Sequence, residues 1–385
     1  MGLSVTFEST LEKIDPDQWN NLLTKSDNPF ISYAFLRGLE DSNCVGTEES
    51  GWLPQHVCLW QDGSLVAGMP CYVKLHSYGE YIFDWAWARA AHQATIGYYP
   101  KLVSAAPFTP VTGRRILMGA HAPKDAREIL IQGLLKLQSV TKASSTHILF
   151  ETEHETQLLE KHEFLTRLSY QFHWRNNREW TSFDSFLSSL RSSNRKQIKR
   201  ERNKAQSQVT RIITKTGQEI TPKEWDALYD FYLSTVRAHR ATPYLNREFF
   251  EWLSVSQKET NNVVSFLAFK KEEIVAGVLC FRSEECLYGR YWGSYLELDA
   301  MHFELCYYSP IEWCIENGIT YFEAGAQGTH KIKRGLLPRS CYSSHYISNT
   351  QLRRGVAQYI QYEKQEIEHQ MRKYSEHSPF KKNLC

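Results

Sequence analysis

Val275-Ala276-Gly277-Val278-Leu279-Cys280-Phe281 is an apolar run that follows a polar turn, Lys270 to Glu273, with a second apolar run on the other side of that turn. Two apolar runs around a short polar turn predict a β-hairpin. The same arrangement stands far earlier in the chain, where Val66-Ala67-Gly68-Met69-Pro70-Cys71-Tyr72 follows the polar turn Gln61 to Ser64 and another apolar run. A hairpin met twice suggests a duplication, and self-similarity decides architecture before any single element does.

Outward from both hairpins the matches continue in one order. Upstream, Asp15-Pro16-Asp17-Gln18-Trp19 supplies a helix cap, a proline at the first helical position and a glutamine three residues beyond the cap. Thr221-Pro222-Lys223-Glu224-Trp225 repeats that design with a capping box. Pro29-Phe30-Ile31-Ser32-Tyr33-Ala34-Phe35-Leu36 matches Pro243-Tyr244-Leu245-Asn246-Arg247-Glu248-Phe249-Phe250 class for class, and each reads as the start of a second helix. Downstream, Phe150-Glu151 and Phe322-Glu323 end equivalent strands. Tyr170 and His173 lie as far beyond the first pair as Tyr342 and His345 lie beyond the second.

The chain therefore reads as two copies of one mixed α/β (α+β) unit, residues 5–174 and 207–348. Each has two N-terminal helices, an antiparallel hairpin, a further helix, and a strand leading into a final helix and strand. The further helix is expected at Ala126–Ser139 and at Met301–Glu316, where Asn317-Gly318 is the stop. The resulting plan is a first domain over 1–180 with an insertion at 79–119, a basic connecting helix over 181–206, a second domain over 207–348, and a C-terminal helix and tail over 349–385. In that last helix Val356, Ile360, Ile367 and Met371 recur at helical spacing, which predicts packing.

With 42% apolar and 23% charged residues in 385, the chain has the composition of a globular protein rather than a disordered one. A net charge of +2 argues against a protein that coats nucleic acid and leaves room for a local basic groove. The nine cysteines form no C-x-x-C pair and no cluster with zinc spacing, so no metal is expected and the thiols fit a reducing compartment. No stretch has the length and apolarity of a membrane span, and no leader pattern opens the sequence; the expectation is a soluble, cytoplasmic protein.

Chemistry concentrates in Phe322-Glu323-Ala324-Gly325-Ala326-Gln327-Gly328-Thr329-His330-Lys331-Ile332-Lys333-Arg334-Gly335, where an acid, three glycines and four basic groups follow an apolar strand. Glycines let the backbone turn sharply beside a ligand, and the N–H groups of such a turn, backed by His330, Lys331, Lys333 and Arg334, predict an anion-receiving surface. A second basic run, Arg191 to Lys204, holds seven basic residues and one acid. As a helix it is either a solvated connector or a clamp for a polyanion, with Arg195, Lys196, Lys199 and Arg200 as its contacts.

An α/β unit of this order, duplicated around a basic helix, resembles the Fem-type transferases, which carry two GNAT-like domains in tandem. The resemblance is most specific at Asn194-Arg195-Lys196-Gln197-Ile198-Lys199-Arg200 and at Ile332-Lys333-Arg334-Gly335-Leu336. Through Phe83-Asp84-Trp85-Ala86-Trp87, Tyr98-Tyr99-Pro100-Lys101-Leu102, Pro107 to Gly113 and Glu323 to Gly335, nearly all of 5–350 is similar to a bacterial family of N-acyltransferases labelled peptidoglycan biosynthesis/recognition.

That resemblance implies transfer of an acyl or aminoacyl group to an amine, with a small-molecule or peptide-like acceptor. The Arg/Gln-x-x-Gly-x-Gly/Ala loop that holds the pyrophosphate of coenzyme A is missing from both halves; the nearest stretch, Arg115 to Ala120, has the wrong spacing. Acyl-CoA and aminoacyl-tRNA thus stand as alternative donors, tRNA is a candidate partner, and DNA is not expected. Glu323 is the expected base, with His330 the alternative and Lys333 beside them. Lys331, Arg334, Gly325, Gly328 and Gln327 are expected to hold substrate. Asp84, Arg290, Tyr291, His302 and Glu304 are expected to border the cleft, and Arg237 and Arg240, with His239, its rim. A non-catalytic binder of RNA or of a wall precursor, and a conventional acetyl-CoA enzyme, are the competing readings.

Overall fold

The computed structural model describes residues 2–325 and 328–381, apart from the side chains of Lys258 and Glu259. Gln327, an expected substrate contact, lies outside the described residues. The first copy contributes β1 (Leu3–Glu8), β2 (Trp52–Pro54), β3 (His56–Gln61), β4 (Ser64–Met69), β5 (Tyr72–Lys74), β6 (Lys101–Ser104), β7 (Leu117–Met118), β8 (Ser145–Glu151) and β9 (Leu165–Arg175). The second contributes β10 (Arg211–Thr216), β11 (Val263–Lys270), β12 (Glu273–Arg282), β13 (Cys286–Ser294), β14 (Tyr321–Glu323) and β15 (Leu337–Ile347).

The chain divides into two compact units, Met1–Ser169 with Ser340–Glu368, and Tyr170–Arg339 with His369–Cys385. Neither is contiguous, so their bounds differ from those of the sequence copies. In the first unit β8 lies between β6, its parallel neighbour, and the later residues of β15, its antiparallel one; β5 and β2 continue beyond β6, and β1, β3, β4 and β7 form a second sheet. In the second unit the order is β10-β11-β12-β13-β14, followed by the later residues of β9. Each unit is thus completed by the last strand of the other copy. The expected hairpins are β3–β4 and β11–β12.

Residues 79–119 contain more than an insertion. Their strand β6 is the parallel partner of β8, as β13 is of β14. β6 is only four residues long and opens on a buried lysine, and neither it nor β13 carries the apolar run that marks the hairpin strands.

Capping chemistry places the helix starts. Thr221 and Glu224 close a capping box at the head of the Pro222–Ala238 helix, with Pro222 in its first turn. Asp15 accepts from the N–H groups of Asp17 and Gln18 and starts a helix that ends at Asn20. The expected helix over 301–316 is interrupted: a π-helical turn, Glu304–Tyr308, separates Met301–Phe303 from Ser309–Glu316. Pro310 has no N–H to give to the Cys306 carbonyl, and the turn before it widens so that Ser309 N–H reaches back to Glu304.

The basic connector forms two helices, Phe183–Ser189 and Ser192–Gln206. In the second, Ile198 and Ala205 are buried in a core with Trp174, Phe186, Leu305, Tyr308, Ile311 and Phe322. Each large apolar side chain buried there contributes about 1.5–3 kcal/mol. That burial fixes which face of the helix its basic residues present outward. The C-terminal helix, Thr350–Glu376, buries Leu352, Val356 and Ile360 against Trp87, Ala91 and Tyr98 of the first unit.

Candidate active site

β14 is only three residues long and pairs in parallel with β13 at Cys286/Tyr321, Leu287/Phe322 and Tyr288/Glu323. β13 runs on to Ser294, still paired with β12 on its other side. Two parallel neighbours that part company at their carboxyl ends leave the kind of crevice in which α/β sheets bind ligands. Glu323, buried, is the last residue of β14.

Three side chains meet Glu323 or lie beside it. Arg290 is the extra residue of a β-bulge, because Leu279 pairs with Tyr291 while Cys280 pairs with Gly289. A bulge re-aims the side chain it carries. Here Arg290 Nη2 comes to 3.5 Å from Glu323 Oε2. His173 is the register partner of Glu323 across β9, with Nε2 3.9 Å from Oε1. Among the described residues neither ring nitrogen of His173 has a hydrogen-bond partner. Burial, then the charges of Arg339, Arg290 and Lys331, push its pKa down to about 3, so the ring is neutral. Lys331, 2% exposed, donates from Nζ to the Gly325 carbonyl at 2.7 Å. Burial lowers its pKa to about 8, with the Arg290 charge acting in the same direction.

The glycine-rich stretch explains how Lys331 arrives there. Gly325 and Gly328 have φ of +81° and +114°, conformations that a side chain resists. They lead into a 3-10 helix, Thr329–Arg334, in which residues i and i+3 eclipse. Lys331 and Arg334 therefore turn inward together, while Lys333 is exposed. Arg334 spends its guanidinium on Glu201 and the Tyr308 hydroxyl, both at 2.8 Å, and stacks 3.6 Å over Phe303. His330 Nε2 lies 3.0 Å from the Tyr307 hydroxyl. His302 packs edge-on to Trp292 and Tyr307, and burial together with His330, Lys331 and Arg334 pushes its pKa down to about 4. His302, Tyr307 and His330 thus form an aromatic shelf linked to Lys331.

The other expected residues are placed differently. Glu304, fully buried, accepts from Arg202, Gln206 and Ser309. Tyr291 packs against Tyr232 and Phe250 on the helix side of β13. Arg237, His239 and Arg240 are exposed at the end of the Pro222–Ala238 helix. Lys196, Lys199 and Arg200 are exposed and Arg195 is half-buried; Lys199 lies 3.4 Å from Asp184. Asp84 belongs to the first unit, where it takes Lys101 and the Tyr98 hydroxyl. Arg115, at the head of the stretch nearest in pattern to a pyrophosphate loop, gives its guanidinium to the Val111, Gly113 and Leu149 carbonyls.

His173 is the residue that chemical reasoning on the sequence passes over. Its one signal is its spacing, which matches that of His345; its partner Glu323 lies 150 residues away, across a strand pairing.

Two units, each built around a parallel strand pair in a mixed sheet flanked by helices, define a tandem GNAT-like α/β protein. The chain belongs to the FemAB-like family, described as peptidoglycan biosynthesis/recognition, whose model matches residues 10–382. No curated protein matches it by sequence. Among solved structures, FemX is similar over 93% of this chain and 100% of that one, at 12% identity and a TM-score of 0.54. The C-terminal domain of a putative lysylphosphatidylglycerol synthetase from Agrobacterium fabrum is similar over 87% of this chain and 91% of that one, at 7% identity and a TM-score of 0.55. A conserved protein of unknown function from Bacteroides thetaiotaomicron is similar over 89% and 99%, at 13% identity and a TM-score of 0.52. At these identities the likeness is one of fold. Family and fold together place the chain with the Fem-type, peptidoglycan-related transferases. Among the described residues no helix is long and apolar enough to cross a membrane, and no cluster of His, Cys, Asp and Glu is arranged to hold a metal ion.

Proposed function

We propose that the chain is an N-acyltransferase that works at the Glu323 site of the second unit. It moves an acyl or aminoacyl group from an activated ester or thioester to an amine on a peptide-like or wall-precursor acceptor. The observation that carries this reading is a buried carboxylate at the parting ends of two parallel strands, facing a neutral histidine and a bulge-directed arginine.

An acceptor ammonium must first lose one proton, which Glu323 takes. The amine nitrogen then attacks the acyl carbon; a C–N bond forms and the bond from that carbon to the donor's oxygen or sulfur breaks. The second amine proton passes through Glu323 or His173 to the leaving group. Arg290 and Lys331 supply positive charge for the oxyanion that develops on the acyl oxygen. The shelf of His302, Tyr307 and His330, with Gly325 and Gly328 allowing close approach, orients the reactants, and orientation supplies much of the rate in such transfers.

The Ser192–Gln206 helix favours a polyanionic donor, coenzyme A ester or charged tRNA. It buries Ile198 and Ala205 and leaves Lys196, Lys199 and Arg200 exposed. The test is mass spectrometry of the N-acylated product with acyl-CoA and charged-tRNA donors and an amine panel. Glu323→Gln is expected to lose about 100-fold or more in kcat while keeping ligand binding. Undiminished turnover in that variant would remove Glu323 from the chemistry. Tight ligand binding without turnover by the unaltered protein would make it a binding module.

A further inference from the structure

We infer that the amine accepted at this site carries a carboxylate on the neighbouring carbon, so that the reacting end of the acceptor is an α-amino acid group. The inference rests on the reading of this site as one for acyl transfer to an amine, and it names the class of acceptor. Its basis is the mismatch between the groups assembled around His173 and what a simple alkylamine would offer them.

His173 is 6% exposed and neutral, so its ring presents one N–H donor and one acceptor, and neither has a partner among the described residues. Buried polar groups of a folded protein are nearly always paired, and an unpaired ring in a candidate site calls for a ligand that both donates and accepts. The charges that bear on His173 are Arg339, Arg290 and Lys331, and one carboxylate, Glu323, stands 3.9 Å from it. An alkylammonium would bring one more positive charge into that group. A zwitterion brings none.

Lys331 identifies where the negative end goes. Its ammonium is buried and meets a backbone carbonyl; among the described residues no carboxylate lies within ion-pair distance of it. Arg290 stands 3.5 Å from Glu323, and its charge also acts on Lys331, so the three groups share one locality. An acceptor that sets its amine on Glu323 and the acceptor nitrogen of His173, and its carboxylate on Lys331 and the His173 N–H, satisfies all of them. Buried cations without anions are unfavourable, and a bound carboxylate is their natural counter-charge.

The experiment uses the full chain with 15N-labelled histidine, the His173 ring signals being assigned from the His173→Asn spectrum. It is titrated with free α-amino acids, their carboxamides and the corresponding amines lacking the carboxyl group. Free amino acids are expected to shift the His173 ring signals and to bind about tenfold to a hundredfold more tightly than the carboxamides. Lys331→Gln is expected to abolish that preference and Lys331→Arg to retain it, with a cooperative unfolding transition showing that each variant is folded. Equal binding of acids and carboxamides, or no movement of the His173 signals with any of the three series, overturns the inference. Acyl transfer that runs equally well onto carboxamides also removes the carboxylate requirement and leaves the transferase reading standing. Selective amino acid binding without transfer from any donor does the reverse.

Discussion

Glu151 and Glu323 end corresponding strands of the two copies and meet opposite surroundings. Glu323 faces Arg290 and His173. Glu151 is fully buried, accepts from Ser344 at 2.6 Å and Thr156 at 3.2 Å, and has its pKa pushed up to about 8 by burial. Around it the first unit is filled by its own chain: Gly113 N–H bonds to the Phe150 carbonyl and Arg115 to that of Leu149. The difference favours the second copy as the seat of the proposed chemistry and leaves the first a carboxyl that stays protonated near neutrality.

That protonated carboxyl makes stability depend on pH. A folded-state pKa above the unfolded value means that the folded state binds more protons between them, so stability falls as pH rises from about 4.5 to about 8. Glu151→Gln removes the term. Denaturant midpoints at pH 5 and pH 8 should show the variant gaining on the unaltered protein with rising pH, by at most about 1.4 kcal/mol per pH unit.

Lys331 has the reverse consequence for binding. With its pKa lowered to about 8, it carries its charge below that pH and loses it above. KM for an anionic acceptor should therefore rise above pH 8, approaching a tenfold increase per pH unit. Lys331→Arg should flatten that rise, because a guanidinium stays charged throughout. A pH profile of kcat and KM for both proteins checks this.

Arg202 ties the basic helix to the π-helical turn through Glu304, at 3.0 Å, and to the Ser309–Glu316 helix through Glu312, at 2.6 Å. Arg202→Ala leaves the Glu304 carboxylate buried without its cation, and a loss of about 3–5 kcal/mol in urea unfolding is expected. The pair Arg202→Met with Glu304→Met should recover most of it. If Glu304 contacts substrate instead, Glu304→Gln will change KM more than the unfolding midpoint.

Gly293 and Gly289 separate two kinds of close approach on β13. A Cβ at Gly293 would stand 2.2 Å from the Phe231 carbonyl oxygen, backbone that cannot swing away. Gly293→Ala should cost about 3 kcal/mol or more. At Gly289 the nearest atom is 3.4 Å away, on the Phe322 ring, and Gly289→Ala should fold normally. Thermal unfolding of the two variants compares them directly.

If the Ser192–Gln206 helix holds a polyanion as proposed, its exposed charges should act on binding and not on stability. Lys196→Ala and Arg200→Ala should each reduce the dependence of log K on log salt for a polyanion by about 0.7–0.9. Stability should stay within about 0.5 kcal/mol. A polyanion that binds both variants with an unchanged salt slope sits elsewhere.

Much of the scaffold was legible because its signals are local. The caps at Asp15 and Thr221, the polar turns at Gln61 and Lys270, and the repeat that links them act over a few residues, through hydrogen bonds and side-chain alternation that any stretch of chain displays. The same holds for Glu323 and the glycines after it, since a strand that ends on an acid and a left-handed turn can be read in order.

What the chain itself determined, then, was the pair of α/β copies, their hairpins and helix starts, and the acid and basic groups available to a site. Tertiary structure alone decided that each unit is completed by the last strand of the other copy, that Arg290 is a bulge residue aimed at Glu323, that Glu304 and Arg334 are spent on ion pairs with the basic helix, and that His173 faces Glu323. The reason is physical. A strand's edge offers the same N–H and C=O groups to any neighbour, so its partner and register follow from packing and core burial over long separations, which no local pattern records.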